Sequence, residues 1–67
     1  MATIAKYEEW VSELERGKRP AELSHIGTTV GGAARCLRRE IESFEWPASE
    51  RAQAQELAAR AKAVGLK

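Results

Sequence analysis

Apolar residues recur at intervals of three and four along most of this chain, and this spacing restricts its fold more than any other feature. Three such stripes occur: Ile4, Tyr7, Val11 and Leu14; Ala34, Leu37, Ile41 and Phe44; and Ala54, Leu57, Ala61 and Val64. Residues at these intervals lie on one face of an α-helix, whereas a strand needs an interval of two. No segment alternates in the way a strand requires. We therefore predict an all-α fold, a compact bundle of three to four helices at about residues 3–16, 20–26, 28–45 and 47–64.

Residues that end or begin helices separate these stripes. Gly17 suits the position just after a helix, where a left-handed backbone is common, and Pro20 suits the first turn of the next helix. Pro47 favours extended geometry at Trp46, so the helix before it is expected to end near residue 45.

The segment GTTVGG, residues 27–32, interrupts an otherwise helical pattern. Its glycines and β-branched residues make a continuous helix about 4 kcal/mol less favourable than the same helix with alanine at these positions. Either one helix spans residues 21–44, with the glycines forming a close helix contact, or two helices meet at a turn. The cost favours a break at Gly27, with Thr28 or Thr29 as the next N-cap. A phosphate-binding loop is disfavoured, because the lysine of such loops and a preceding strand are both missing.

A chain of 67 residues forms one domain, residues 1–67, near the lower size limit for folding alone. Its single cysteine, Cys36, excludes an internal disulfide, and with the single histidine, His25, it cannot build a zinc site. We therefore expect no metal, no cofactor and no catalytic residue, and we expect Cys36 to be a half-buried small residue. Because neither a disulfide nor a metal site can stabilise the fold, dimerisation or binding to a larger partner is expected.

The composition is that of a globular chain, with 43% hydrophobic and 31% charged residues. No apolar run is long enough to cross a bilayer, so we predict no membrane partner. The first residues lack the long apolar core of a secretory signal, and a lone cysteine fits a reducing compartment. A cytoplasmic location is the expectation.

A basic segment lies within this nearly neutral chain, whose net charge is +1. Residues 16–39 contain six arginine or lysine residues and a single glutamate. If a helix starts near Thr28, the face opposite its apolar stripe carries Thr28, Gly32, Arg35 and Arg39. An anionic partner or a second helix would fit such a strip. The alternative is a solvated face paired with glutamates, which explains Arg38 beside Glu42 better than Arg35.

The segment PAELSHIGTTVGGAARCLRREI, residues 20–41, resembles a helix-turn-helix DNA-binding domain. A short helix, a glycine at the turn and hydroxyl residues opening a second helix carry the resemblance. It implies a recognition helix at about residues 28–44 that enters the major groove of double-stranded DNA. The resemblance implies that bases are contacted by Thr28 or Thr29, Gly32 and Arg35, and phosphates by Lys18, Arg19, Arg38 and Arg39.

A second hypothesis needs no nucleic acid. The chain would then be a non-enzymatic helical protein–protein interaction module, such as an inhibitor, an antitoxin-like partner or an accessory subunit. Aromatic residues are few, and tryptophan is enriched in binding hot spots. Trp10 and Trp46 are therefore the predicted contacts with a protein partner or with a second copy in a homodimer.

Overall fold

A computed structural model describes residues 3–23 and 29–66, and these residues form three α-helices. Helix α1 is Ile4–Glu15, α2 is Val30–Ser43 and α3 is Ala48–Gly65, and a short 3-10 helix, Ala21–Leu23, lies between α1 and α2. No strand occurs in the two described ranges. The prediction of an all-α fold of packed helices is confirmed.

Helix α1 ends as its sequence predicts. Gly17 has a φ of 81°, and its N–H donates to the Leu14 carbonyl at 3.0 Å. The Lys18 N–H donates to the Glu13 carbonyl, also at 3.0 Å. These two bonds satisfy carbonyls that the end of a helix leaves without partners, and they turn the chain away from α1.

The helix predicted at residues 20–26 is present in its described part only as the 3-10 helix Ala21–Leu23. Residues 24–28 lie outside the described ranges, and the prediction of a break at Gly27 falls among them. Thr29 is extended, with φ −128° and ψ 162°, and α2 starts at Val30. A single continuous helix over residues 21–44 is therefore excluded, and the prediction of two separate segments is confirmed.

Helix α2 ends at Ser43, two residues before the predicted boundary, because Phe44 is already extended, with φ −88° and ψ 140°. This early exit brings the Trp46 side chain back against the helix end. Its indole N–H donates to the Ile41 carbonyl at 2.9 Å. The Trp46 indole thus supplies a donor to one of the carbonyls that the end of α2 leaves without a helical partner.

Helices α2 and α3 form an antiparallel pair, and α1 packs chiefly against α3. Alanine occupies five of the buried positions on α2 and α3, which lets these helices approach closely. The core contains Tyr7, Val11, Leu14, Leu23, Ala33, Ala34, Leu37, Ile41, Trp46, Ala54, Leu57, Ala58, Ala61 and Val64. All three predicted stripes supply core residues, but Phe44 and Cys36 depart from expectation. Phe44 lies beyond the end of α2 and is 38% exposed, and Cys36 lies on the outward face of α2 and is exposed, not half-buried.

Candidate interaction site

The amino end of α2 is built by Thr29. Its hydroxyl oxygen accepts a hydrogen bond from the Gly32 N–H at 2.9 Å. This contact satisfies one of the free N–H groups of the first turn, and the extended backbone of Thr29 is typical of an N-cap. Thr29 and Gly32, both predicted to face nucleic acid, thus lie together at the start of the helix. Thr28 lies outside the described residues.

Arg35 holds the amino end of α2 against the carboxyl end of α3. Its guanidinium donates to the Gly65 carbonyl at 2.9 Å. A Cβ atom on Gly65 would lie 2.7 Å from the Arg35 Cγ and 3.5 Å from the Gly31 carbonyl oxygen. A cation at a helix carboxyl end also interacts favourably with the helix dipole. Arg35, predicted to read bases, therefore has a structural contact that the sequence spacing did not indicate.

The other predicted basic contacts fall into two groups. On α2, Arg39 is exposed, and Arg38 is 3.4 Å from the Glu42 carboxylate, the four-residue pair that its spacing suggests. Lys18 and Arg19 follow α1 and line a surface cavity of about 530 Å³ together with Trp10. None of the α2 arginines lines that cavity.

Both tryptophans contact one buried aromatic ring, that of Tyr7. Trp10 and Trp46 make edge-to-face contacts with Tyr7, with centroid distances of 5.6 and 5.7 Å. Trp46 is only 8% exposed, and Trp10 is half-buried. Both therefore contribute to the core, and Trp46 exposes little surface to a partner.

An apolar groove runs between the carboxyl end of α2 and the adjoining face of α3, and we call it the α2–α3 groove. Its volume is about 560 Å³. The buried side chains along it are Ile41, Trp46, Ala54 and Ala58. Phe44 stands at its α2 side, with its ring 4.6 Å from that of Trp46 in an edge-to-face contact. The groove thus combines a projecting aromatic ring with a surface of small apolar residues.

Charged residues line the two sides of this groove with opposite signs. Glu42 and Glu45, at the end of α2 and in the connection after it, form an acidic edge. Arg51 and Lys62, both on α3, form a basic edge. Glu42 pairs with Arg38, whereas neither Glu45 nor Lys62 forms an ion pair within the described residues.

Sequence reasoning found Trp46 but missed the rest of the groove. Phe44 continues the apolar stripe of α2, so the pattern places it in the core. Pro47 restricts only Trp46 directly before it, so it predicted a helix end near residue 45 and did not indicate the earlier end at Ser43. The acidic and basic edges border the same groove only because the short connection after α2 folds α3 back along α2.

The described residues contain no group of three or more histidine, cysteine or acidic side chains arranged to hold a metal ion. Within the same ranges, no helix has the length and apolar character needed to cross a membrane. The described residues thus form three packed α-helices with one groove between α2 and α3. No family model, curated protein sequence or solved structure matches this chain.

Proposed function

We propose that this chain is a small non-enzymatic regulatory protein that acts by protein–protein interaction through the α2–α3 groove. The observation that supports this proposal is the exposed face of Phe44 beside an apolar surface. Aromatic side chains in such positions supply much of the binding energy at protein interfaces. The charged edges would form the polar rim that usually surrounds an apolar interface centre.

The small number of exposed apolar residues supports the choice of this surface. The helices bury their apolar stripes against each other, so few large apolar side chains remain for a partner. Among the described residues, only Phe44 and Leu66 are large, apolar and exposed. Leu66 lies alone beyond the end of α3, whereas Phe44 adjoins a groove of about 560 Å³. An isolated exposed apolar residue is ordinary, but one beside an apolar groove is typical of a binding site.

The test is site-specific photocrosslinking in the native host. A photoreactive residue replaces Gln55, which lines the groove, or Gln53, an exposed glutamine on the same helix outside it. We expect a discrete protein adduct from position 55 and none from position 53. Phe44→Ser should abolish the adduct while the circular dichroism spectrum stays unchanged. Equal labelling from both positions, or no protein adduct from either, would contradict the proposal.

DNA binding is a second candidate, and the start of α2 favours it. Thr29, within the basic segment of residues 16–39, caps this helix, and Arg39 is exposed further along it. A helix-turn-helix regulator would present this end of α2 to the major groove. Free N–H groups at a helix start also attract phosphate.

A gel shift with the duplex upstream of the chain's own gene, repeated over a salt series, tests this candidate. Binding should weaken steeply with salt, and Arg39→Gln should reduce the steepness by about 0.9 for one lost phosphate contact. Arg51→Gln, which removes a positive charge near the start of α3, at the end of the helix pair away from the start of α2, serves as the control. If both variants bind equally, or if the unmodified chain shifts no duplex at low salt, the DNA-binding candidate is wrong.

A further inference from the structure

We infer that the occupant of the α2–α3 groove is an amphipathic α-helix of another protein, with acidic residues on the flank that faces α3 and a basic residue on the flank that faces α2. This inference rests on the proposed function and names the class of partner. Three features of the groove support it: its length, the groups on its walls and the charges on its edges.

The α3 wall of the groove is a stripe about three helical turns long. Arg51, Gln55, Ala59 and Lys62 follow each other at intervals of four, four and three residues, so they lie along one side of α3. This stripe spans about 16 Å at the rise of an α-helix. Helix α1, described over its whole length, contributes no residue to the groove. This side of the helix pair is therefore open over a length that a short helix would cover.

The walls of the groove present side chains, because the backbone N–H and C=O groups along α2 and α3 bond within each helix. An extended peptide laid against these walls would leave its own backbone groups without partners, whereas a helix satisfies them internally. Ala54 and Ala58 are small and buried along the groove, so a helix can approach closely. A helical partner would pack its apolar face on these alanines and against the Phe44 ring.

Charges on the two edges define the flanks of the partner helix. Arg51 and Lys62 lie at the two ends of the α3 stripe, and Glu42 and Glu45 border the other side at the end of α2. Neither Glu45 nor Lys62 forms an ion pair within the described residues. The Arg51 guanidinium has only a long contact, 3.5 Å, to the Trp46 carbonyl. A complementary helix would carry two acidic residues about eleven positions apart on one flank and a basic residue on the other.

The two ends of the groove differ, because α2 and α3 are antiparallel. The hydrogen bond from Arg35 to the Gly65 carbonyl places Lys62 toward the start of α2. Phe44 and Glu45 follow the end of α2 and therefore lie at the other end of the groove. The basic residue of the partner and its contact with Phe44 then belong to the same end of the partner helix, so we expect a single binding direction.

Selection from a surface-displayed library of helical peptides, with the full chain as the target, tests this inference. The peptides share an apolar face at three-four spacing, and the positions on both flanks are randomised among glutamate, lysine and glutamine. A second library has the same composition but a proline at the centre of each peptide, which breaks the helix. We expect enrichment from the first library alone, with glutamate on one flank and lysine on the other.

Variants of the chain assign the selected peptides to the groove. Phe44→Ser should weaken their binding at least about tenfold, and so should Arg51→Glu with Lys62→Glu. Peptides whose flanking glutamates are replaced by lysine should restore binding to the charge-reversed variant. Lys18→Glu with Arg39→Glu makes the same change in net charge outside the groove and should bind as the unmodified chain does. Circular dichroism melting confirms that each variant is folded.

Enrichment from neither library, or equal enrichment from both, would overturn this inference. So would selected peptides that bind the Phe44→Ser and charge-reversed variants as tightly as the unmodified chain, or the absence of rescue by the lysine peptides. Each of these results removes either the helix or the groove from the interaction.

The crosslinking at Gln55 separates failure of this inference from failure of the proposed function. A host protein adduct without any enriched helix retains the interaction site and rejects the helical partner. Enriched helices without a host adduct reject the proposed function and retain the preference of the groove for a helix. An adduct that joins two copies of this chain would reject a partner from another protein.

Discussion

At the scale of single residues, two glycines are required for different physical reasons. Gly17 has a φ of 81°, and no atom lies within 4 Å of where its Cβ would be, so only the backbone demands glycine there. Gly65 has ordinary helical geometry, but its Cβ would meet the stem of Arg35 at 2.7 Å. One position needs conformational freedom and the other needs space.

Replacing Gly17 isolates the backbone effect. We expect Gly17→Ala to lower the free energy of unfolding by about 1 kcal/mol, because the left-handed conformation is costly for a residue with a Cβ. Gly17→Asn should cost less, since asparagine tolerates this conformation. Urea denaturation measures both. Equal stability of the alanine variant and the unmodified chain would show that the left-handed turn is not retained in solution.

Gly65 and Gly31 form a matched pair on the two sides of one helix contact. Gly65→Ala should lower the free energy of unfolding by about 1–2 kcal/mol, because the Arg35 side chain must shift and its hydrogen bond is strained. Gly31→Ala meets nothing closer than the Arg35 guanidinium at 3.6 Å. It should therefore raise the free energy of unfolding by about 0.5–1 kcal/mol through helix propensity. Thermal and urea unfolding give the comparison, and opposite signs are the expected result.

At the scale of elements, a charged contact links α1 to α3. The Arg60 guanidinium donates two hydrogen bonds to the Glu15 carboxylate, at 2.7 and 3.0 Å, and a third to the Ser12 hydroxyl at 3.3 Å. The hydrogen bond that Arg60 donates to the Glu15 carboxylate raises the pKa of Arg60 above its ordinary value. A two-pronged pair of this kind orients helices better than a single contact does.

We expect Arg60→Gln to lower the free energy of unfolding by about 0.5–1 kcal/mol at low salt, with a smaller loss at high salt. Arg16→Gln is the control, because Arg16 pairs with Glu13 within the end of α1 and joins no second helix. Its effect should be no more than about 0.5 kcal/mol. Chemical denaturation at two salt concentrations makes the comparison, and identical losses for both variants would contradict a role in joining the helices.

At the scale of the whole molecule, one apolar core is shared by all three helices. Within residues 3–23 and 29–66, the core consists of fourteen residues with no charged side chain, and no disulfide is present there. Burial of apolar surface is therefore the main stabilising contribution, and a chain of this size has only a few kcal/mol of net stability.

Truncating this core should bring the chain close to unfolding. Leu57 is 1% exposed, and Leu57→Ala should cost about 2–5 kcal/mol. Leu66 is 78% exposed, so Leu66→Ala should change the free energy of unfolding by less than about 0.5 kcal/mol. Differential scanning calorimetry distinguishes them, and a mild effect at Leu57 would mean that the core residues are not closely packed.

Local features of the sequence were sufficient to predict the helices. The three-four spacing of apolar residues predicts α1, α2 and α3 to within about two residues at each end. Gly17 follows the end of α1 with a left-handed backbone, and the Thr29 hydroxyl caps the start of α2. These predictions succeed because helix periodicity, caps and turns depend on residues only a few positions apart.

The candidate site could be predicted only in part. Trp46 was identified as a partner contact, but Phe44 was placed only on the apolar stripe of α2, and Arg35 was assigned to a nucleic-acid surface. The Arg35 contact depends on Gly65, thirty positions away, and the groove depends on how α3 folds back along α2. No local pattern contains that information.

The sequence by itself determined which segments are helical, where α1 ends and that α2 begins anew after a break, because these outcomes follow from neighbouring residues. Only the tertiary structure decided that Arg35 caps α3, that Gly31 and Gly65 meet, and that acidic and basic edges flank one groove. The physical reason is that close packing of α2 against α3 brings together residues that are distant in the chain. Contacts of that kind depend on the position of whole helices, which local spacing does not specify.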